Sequence, residues 1–271
     1  MDTVLFFAPP LVMCFLLVGI HCYLGLHVLA RGVIFVDLAL AQVAVFGSTI
    51  AFLIGFDHGE GMDYFISLGA TLLAALFLAI ANRLKQRVSQ EALVGVLYAF
   101  ASGAVILSVD KISHGAEHIK AALTGQLLWV TWADVGKVTV IYSLVALLYF
   151  IFRHPLLKSS MKGQGGWLWD FVFYGLFGVV MTSSARVAGV LLVFSFLIVP
   201  AVLSSLFVNS MRNRLLFGWG LGFVLSVLGM FISYWLDTPS GAVLVCLFTC
   251  LPLLIVVTFG LVQTGSPNIS K

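Results

Sequence analysis

The chain has 271 residues, 61% of them hydrophobic and only 9% charged, with a formal net charge of +3 and a mean hydropathy of +1.12. That composition excludes a soluble globule and describes a polytopic helical membrane protein. The mild basic excess reflects anchoring at a membrane surface and says nothing of nucleic acid.

Crossing hydrocarbon takes about 20 residues of helix, because no water is present to satisfy backbone groups. The predicted fold is all-α, with eight to nine membrane-spanning helices and one re-entrant or interfacial segment, in a single domain over 1–271. The first predicted span, 4–29, carries His21 near its middle and His27 towards its end, each either a packing residue or a ligand on an ion path. Its start, Met-Asp-Thr, has no basic region or cleavage site, so no removable signal peptide is expected. The second span, 33–55, holds Asp37. A carboxylate at membrane depth is costly and marks a functional site by default. Gln42 follows on the same helix, but five residues on a straight helix turn it about 140° away from Asp37.

Asp57, Glu60 and Asp63 form an acidic connection that would concentrate cations, ahead of a third span over 64–81. Arg83, Lys85 and Arg87 then precede a fourth, 92–109. The region 110–134 is unusual, since its apolar part, 121–132, is too short to span and reads as a re-entrant or interfacial helix, with Trp129 and Trp132 suited to the headgroup level. Within it, His114, Glu117 and His118 match H-x-x-E-H, a zinc-peptidase pattern. Three readings stay open: a polar loop with capping and ion-pairing roles, capture of a cation such as Zn, Mn or Fe, or an intramembrane metallopeptidase.

After a span at 135–152 comes the longest polar connection, 153–166. It is basic but includes Pro155, Leu156 and Leu157, an apolar patch with Lys158, Met161 and Lys162 beside it, and reads either as a plain linker or as a short helix docking onto another protein. Spans follow at 167–183, 187–208, 215–236 and 242–262. Pro200 and Pro252 should kink or interrupt their helices. Asp237, in Asp-Thr-Pro-Ser-Gly, sits in a turn as either a turn-stabilising acceptor or a ligand. Gly218, Gly222 and Ser226, and Gly95, Ala99 and Gly103, have the spacing that lets helices pack closely. Cys14, Cys22, Cys246 and Cys250 lie inside spans and read as small packed thiols.

Basic residues mark cytoplasmic loops. Arg31, the 83–87 cluster, Arg153, Lys158, Lys162, Arg212, Arg214 and Lys271 therefore face inward, with the acidic connections outward and the N-terminus outside. Lys111, Lys120, Lys137 and Arg186 break the pattern, Arg186 being either a buried partner or part of a short outer turn. No Gly-x4-Gly-Lys-Ser/Thr loop is present, so any energy from ATP must come from another polypeptide.

Three ordered stretches, FVDLALAQVAVFG (35–47), RVAGVLLVFSFLIVPA (186–201) and SYWLDTPSG (233–241), together with SQEALVGVLYA (89–99), resemble the permeases of metal ABC importers of the zinc, manganese and iron type, the ABC-3 family. The resemblance covers most of the chain. It implies a non-enzymatic permease of a bacterial inner membrane, working as a homodimer with cytosolic ATPases and an extracytoplasmic metal-binding protein. A divalent metal would be cargo, with no permanently bound cofactor. Members commonly carry Asp-x3-His, then Gly five residues later; aligned on Asp37 the His position holds Ala41, and aligned on Gly47 it holds Gln42. The segment LLKSSMKGQGG also departs from the family's coupling segment. Alternatives to transport are a metallopeptidase using His114, Glu117 and His118, or a membrane scaffold.

Overall fold

A computed structural model describes residues 3–56, 61–84, 87–110, 115–162 and 166–264, with side chains described for all of these except 3–5, 115, 116, 118, 160–162 and 259–264. Among them are eleven α-helices and no strand: α1 (Thr3–Arg31), α2 (Val36–Ile54), α3 (Gly61–Ala81), α4 (Gln90–Val109), α5 (Gly115–Thr124), α6 (Trp132–Ile151), α7 (Arg153–Lys162), α8 (Gly166–Ala188), α9 (Val190–Phe207), α10 (Met211–Leu236) and α11 (Ser240–Thr264). All but α5 and α7 are long and apolar enough to cross a membrane, nine among the described residues.

The helices sort into two packed groups. One joins α2 to α3, α4 and α8; the other joins α1, α9, α10 and α11. The helix α6 bridges them by lying against both α1 and α8, and α9 touches α8 and α2. The second group is held by close backbone approach. A methyl group added at Gly25 would meet the Leu197 carbonyl, one at Gly218 would meet Cys22 and Pro200, and one at Gly222 would meet Val18. The Gly218, Gly222, Ser226 stripe is thus a packing face, as its spacing requires. Gly95 and Gly103 on α4 meet no neighbour, so their stripe plays no such part within the protomer.

Several local expectations change. Both α9 and α11 run through Pro200 and Pro252 as unbroken helices. The break falls at Gly189, a single residue with φ of 78° between α8 and α9. The predicted helix over 121–132 is displaced: α5 ends at Thr124, Gly125 turns left-handed at φ 65°, and Leu127–Trp129 is one 3-10 turn. Gly125 and Gly189 press backbone to backbone, where either residue's Cβ would strike the other's chain, and Gln126 N–H donates to Val187 O at 3.3 Å. Trp129 and Trp132 remain exposed, as expected of interfacial tryptophans. Cys14 and Cys22 are buried thiols, whereas Cys246 and Cys250 lie on the exposed face of α11, so only the first two are packed.

The end of the molecule carrying Arg31 is fixed by a buried polar cluster. Arg31 Nη1 donates to Asp170 Oδ1 at 2.9 Å, Ser159 Oγ donates to the same oxygen at 2.7 Å, and Asn82 Nδ2 donates to Oδ2. Arg31 Cζ also lies 3.8 Å from the centre of the Phe173 ring. One carboxylate thereby joins α1, α7, α8 and the turn after α3. Both ion-pair partners are nearly buried, at 7% and 8% side-chain exposure. Removing one member of such a pair leaves the other charged and unpartnered. Asp170→Ala is expected to destabilise the fold by about 3–5 kcal/mol, seen as a lowered melting temperature of the detergent-purified protein, with Asp170→Asn milder.

Candidate functional site

Asp37 is the second residue of α2, in the helix's first turn, where unpaired N–H groups and the positive end of the helix dipole favour an anion. It is only 1% exposed, and neither carboxylate oxygen has a hydrogen-bond partner among the described residues. Just before it, the Phe35 N–H donates to Glu91 Oε1 at 3.0 Å, so a second carboxylate, from the first turn of α4, reaches the same helix start. A buried carboxylate without donors is expensive. It is the pattern expected of a group that meets a cation from elsewhere.

One turn further on, Ala41 is fully buried against Ala185 and Val190, with Leu38, Val45 and Leu123 packed around it. This apolar collar brings α2 against the α8–α9 junction and α5. Beyond it opens a cavity of about 410 Å³ lined by Ala44, Ser48, Asp63, Ser67, Gln126 and Arg186, among others. Asp37 and this cavity are therefore in line along α2, separated by the collar.

Gln42 is buried on α2. His21 is fully buried on α1, where its Nδ1–H donates to Leu17 O at 2.7 Å and its Nε2 has no partner. Its ring faces Tyr142 of α6 with centroids 6.3 Å apart. His27 packs against Tyr23, and neither ring nitrogen has a partner among the described residues. Because α1 belongs to the α9–α10 group and α2 to the other, the structure does not gather His21 with Asp37. Asp237 is exposed at the α10–α11 turn in a left-handed conformation, φ 50°. The turn is closed by Ser233 Oγ donating to Thr238 O at 2.7 Å and by Thr238 N–H donating to Ser233 O at 3.1 Å. Asp237 borders a separate cavity of about 850 Å³ with Trp129 and Ser233. Glu117 is exposed on α5; His114 lies outside the described residues, as does the side chain of His118. No cluster of three or more His, Cys, Asp or Glu suited to a metal occurs among the described residues. Of the predicted ligands, Asp37 alone combines burial with two vacant acceptor oxygens.

Asp63 is placed differently from expectation. Asp63 is 1% exposed and pairs with Arg186, Nη2 to Oδ2 at 2.7 Å, so it belongs to a buried ion pair and not to a solvated acidic surface. Asp57 and Glu60 lie outside the described residues. Arg186 is thus a partner, one of the two readings its position against the charge pattern allows. Lys137 lies 3.9 Å from Asp134, which closes a capping box with Thr131 at the start of α6. Glu91 carries no sequence signal, since an acid at a span start looks like any loop charge, but Asp170, four residues into the 167–183 span, carries the same signal as Asp37 in 33–55.

Residues 6–259 match the ABC 3 transport family. The chain belongs to that family. It is 28% identical over 236 residues to the manganese transport system membrane protein MntC of Listeria innocua, covering 83% of this chain and 81% of that one. It is 22% identical over 243 residues to the chelated iron transport system membrane protein YfeC of Yersinia pestis, with 86% and 80% covered. Its fold resembles PsaBC from Streptococcus pneumoniae, solved in complex with a Fab, at a TM-score of 0.74 and 20% identity, over 92% of this chain and 90% of that one.

Against the ABC 3 pattern, the absent histidine has a structural counterpart. Ala41 is fully buried in one cluster with Ala185 and Val190. Ala41→His is expected to overpack the collar and destabilise the protein by about 1–3 kcal/mol, measured by thermal unfolding in detergent.

Proposed function

We propose that this ABC 3 family chain is the membrane-spanning permease subunit of an importer for a divalent transition metal in a bacterial cytoplasmic membrane. It has no catalytic role of its own; a cytosolic ATPase supplies the energy and an extracytoplasmic binding protein delivers the cation. The observation that carries the reading is Asp37, a buried carboxylate with both oxygens vacant, in line with a polar cavity along one helix. Manganese and iron appear in the names of relatives, and oxygen donors suit manganese. His21, Gln42, Asp237 and the His114, Glu117, His118 group remain secondary ligand proposals; His21 and Asp237 belong to the other packing group. The peptidase alternative is set aside, because the chain belongs to a transport family.

Asp37→Asn keeps the shape and removes the charge. It is expected to insert and fold normally while losing most uptake of radioactive manganese in cells. Undiminished uptake would reduce Asp37 to a structural residue.

The helix α7 is the natural contact for the ATPase. It packs on α1, α6 and α8 through buried Leu156 and Ser159, while Arg153, His154, Leu157 and Lys158 are exposed. Leu156 therefore anchors α7 to its own protomer, and docking falls to Leu157 and Lys158, with Pro155 half-buried between; Met161 and Lys162 end the helix with side chains outside the described set. A cysteine at Leu157 is expected to crosslink to the ATPase in the assembled complex. Labelling of that cysteine only by reagents added outside the cell would invert the topology and remove α7 from this role.

A further inference from the structure

The cavity beyond the Ala41 collar contains two charged residues among its described lining, Asp63 and Arg186. They are unequally placed: Arg186 keeps 26% of its side chain exposed and Asp63 only 1%. The arginine is the solvent-facing partner and the carboxylate stands behind it. Ser48 Oγ donates to the other Asp63 oxygen at 2.7 Å. Ser67 is fully buried one turn along α3, its hydroxyl donating to Ala44 O at 2.6 Å. Gln126 supplies an amide to the wall. Carboxylate, hydroxyl and amide oxygens are the donors that hard divalent cations take. The volume is ample, since a cation with six waters needs on the order of 180 Å³ at about 30 Å³ per water, against about 410 Å³ here.

A buried carboxylate facing an empty cavity would carry an uncompensated charge. Arg186 removes that cost from the neighbouring helix. The guanidinium is singly charged and tethered, so an arriving divalent ion, with twice the charge at similar distance, competes effectively for the same oxygens. Once displaced, Arg186 keeps a partner in the Tyr64 ring, whose centre lies 5.6 Å from its Cζ. On these grounds we propose that the cavity is a second cation site, separated from Asp37 by the Ala41 collar, in which Arg186 is a built-in stand-in for the cargo ion at Asp63. The cation waits here, and moves to Asp37 only when the collar between α2 and the α8–α9 junction parts. The exchange at Asp63 is a displacement of one cation by another; no covalent bond forms or breaks.

This inference rests on the metal-permease reading, and the test separates the two. Manganese binding to the full-length permease in lipid nanodiscs is followed by the electron paramagnetic resonance of free Mn²⁺, in an Asp37→Asn background that removes the first site. Adding Arg186→Gln is expected to tighten Mn²⁺ binding about tenfold, the gain from removing a like charge beside the site. A further Asp63→Asn should abolish that gain, and Arg186→Lys should not produce it. No tightening with Arg186→Gln, or a gain that survives Asp63→Asn, would overturn the proposal. Should Arg186→Gln misfold, Asp63→Asn alone, in the transporter assembled with its ATPase, decides the matter. It is expected to raise the manganese concentration needed for half-maximal uptake while leaving the maximal rate largely intact; an unchanged half-maximal concentration would overturn the site. Failure of the metal-permease reading appears instead in the parent protein, as absence of manganese uptake.

Discussion

The carboxylate of Asp170 organises one whole end of this protein. A single acid accepts from Arg31, Ser159 and Asn82, and so binds α1, α7, α8 and the turn after α3 into one unit. In a membrane the hydrophobic effect does not draw helices together, because lipid tails are as apolar as leucine. Specific polar contacts and close packing must supply the order. Because α7 reaches Asp170 through Ser159, the short helix is no loose appendage. A push on its exposed Leu157 and Lys158 is received by α8 directly.

That makes α8 the shaft of the molecule. One end holds Asp170 and the other holds Arg186, which grips Asp63 of α3. Between them its hydroxyls bind neighbouring helices: Ser184 with Tyr142 of α6 at 2.6 Å, Ser183 with Tyr64 of α3 at 3.0 Å, and Thr182 donating to Thr71 of α3 at 3.1 Å. The shaft ends at Gly189, a one-residue joint to α9, and this joint rests on Gly125 with no side chain between. The collar around Ala41 is built where these parts meet. The collar and the Asp63 pair are thus both built on the last turn of α8, through Ala185 and Arg186.

Spans were legible because each needs a long apolar run, and the nine windows coincide with nine helices to within a few residues. Asp37 was legible for the same reason in reverse: one acid in an apolar run needs a reason to be there. Pairings across the fold were not legible. Asp63 looked like a loop acid beside Asp57 and Glu60, and only the packing of α3 on α8 turns it towards Arg186. Pro200 drew attention as a helix breaker, yet α9 absorbs it, and the interruption comes at Gly189, whose φ of 78° suits a residue without Cβ. Leu156 and Leu157 read as one patch, whereas adjacent helical positions point about 100° apart, so one anchors and the other is presented. His21 and Asp37 shared a residue class but not a neighbourhood, because their helices belong to different packing groups.

The glycine contacts of α1, α9 and α10 divide mechanical roles. Where backbones touch, as at Gly25 against the Leu197 carbonyl, there is no flexible side chain to yield, and sliding either helix meets atoms at once; Gly222 instead seats the stiff, branched Val18 side chain. That group behaves as a stator. The helices α2 and α3 also touch at the backbone, Gly47 against Ser67, whereas α8 meets this pair across a cavity and through hydroxyl and ion-pair contacts that can exchange partners. The seam with exchangeable contacts is thus the one between α8 and the α2–α3 pair, and the cavity lies along it.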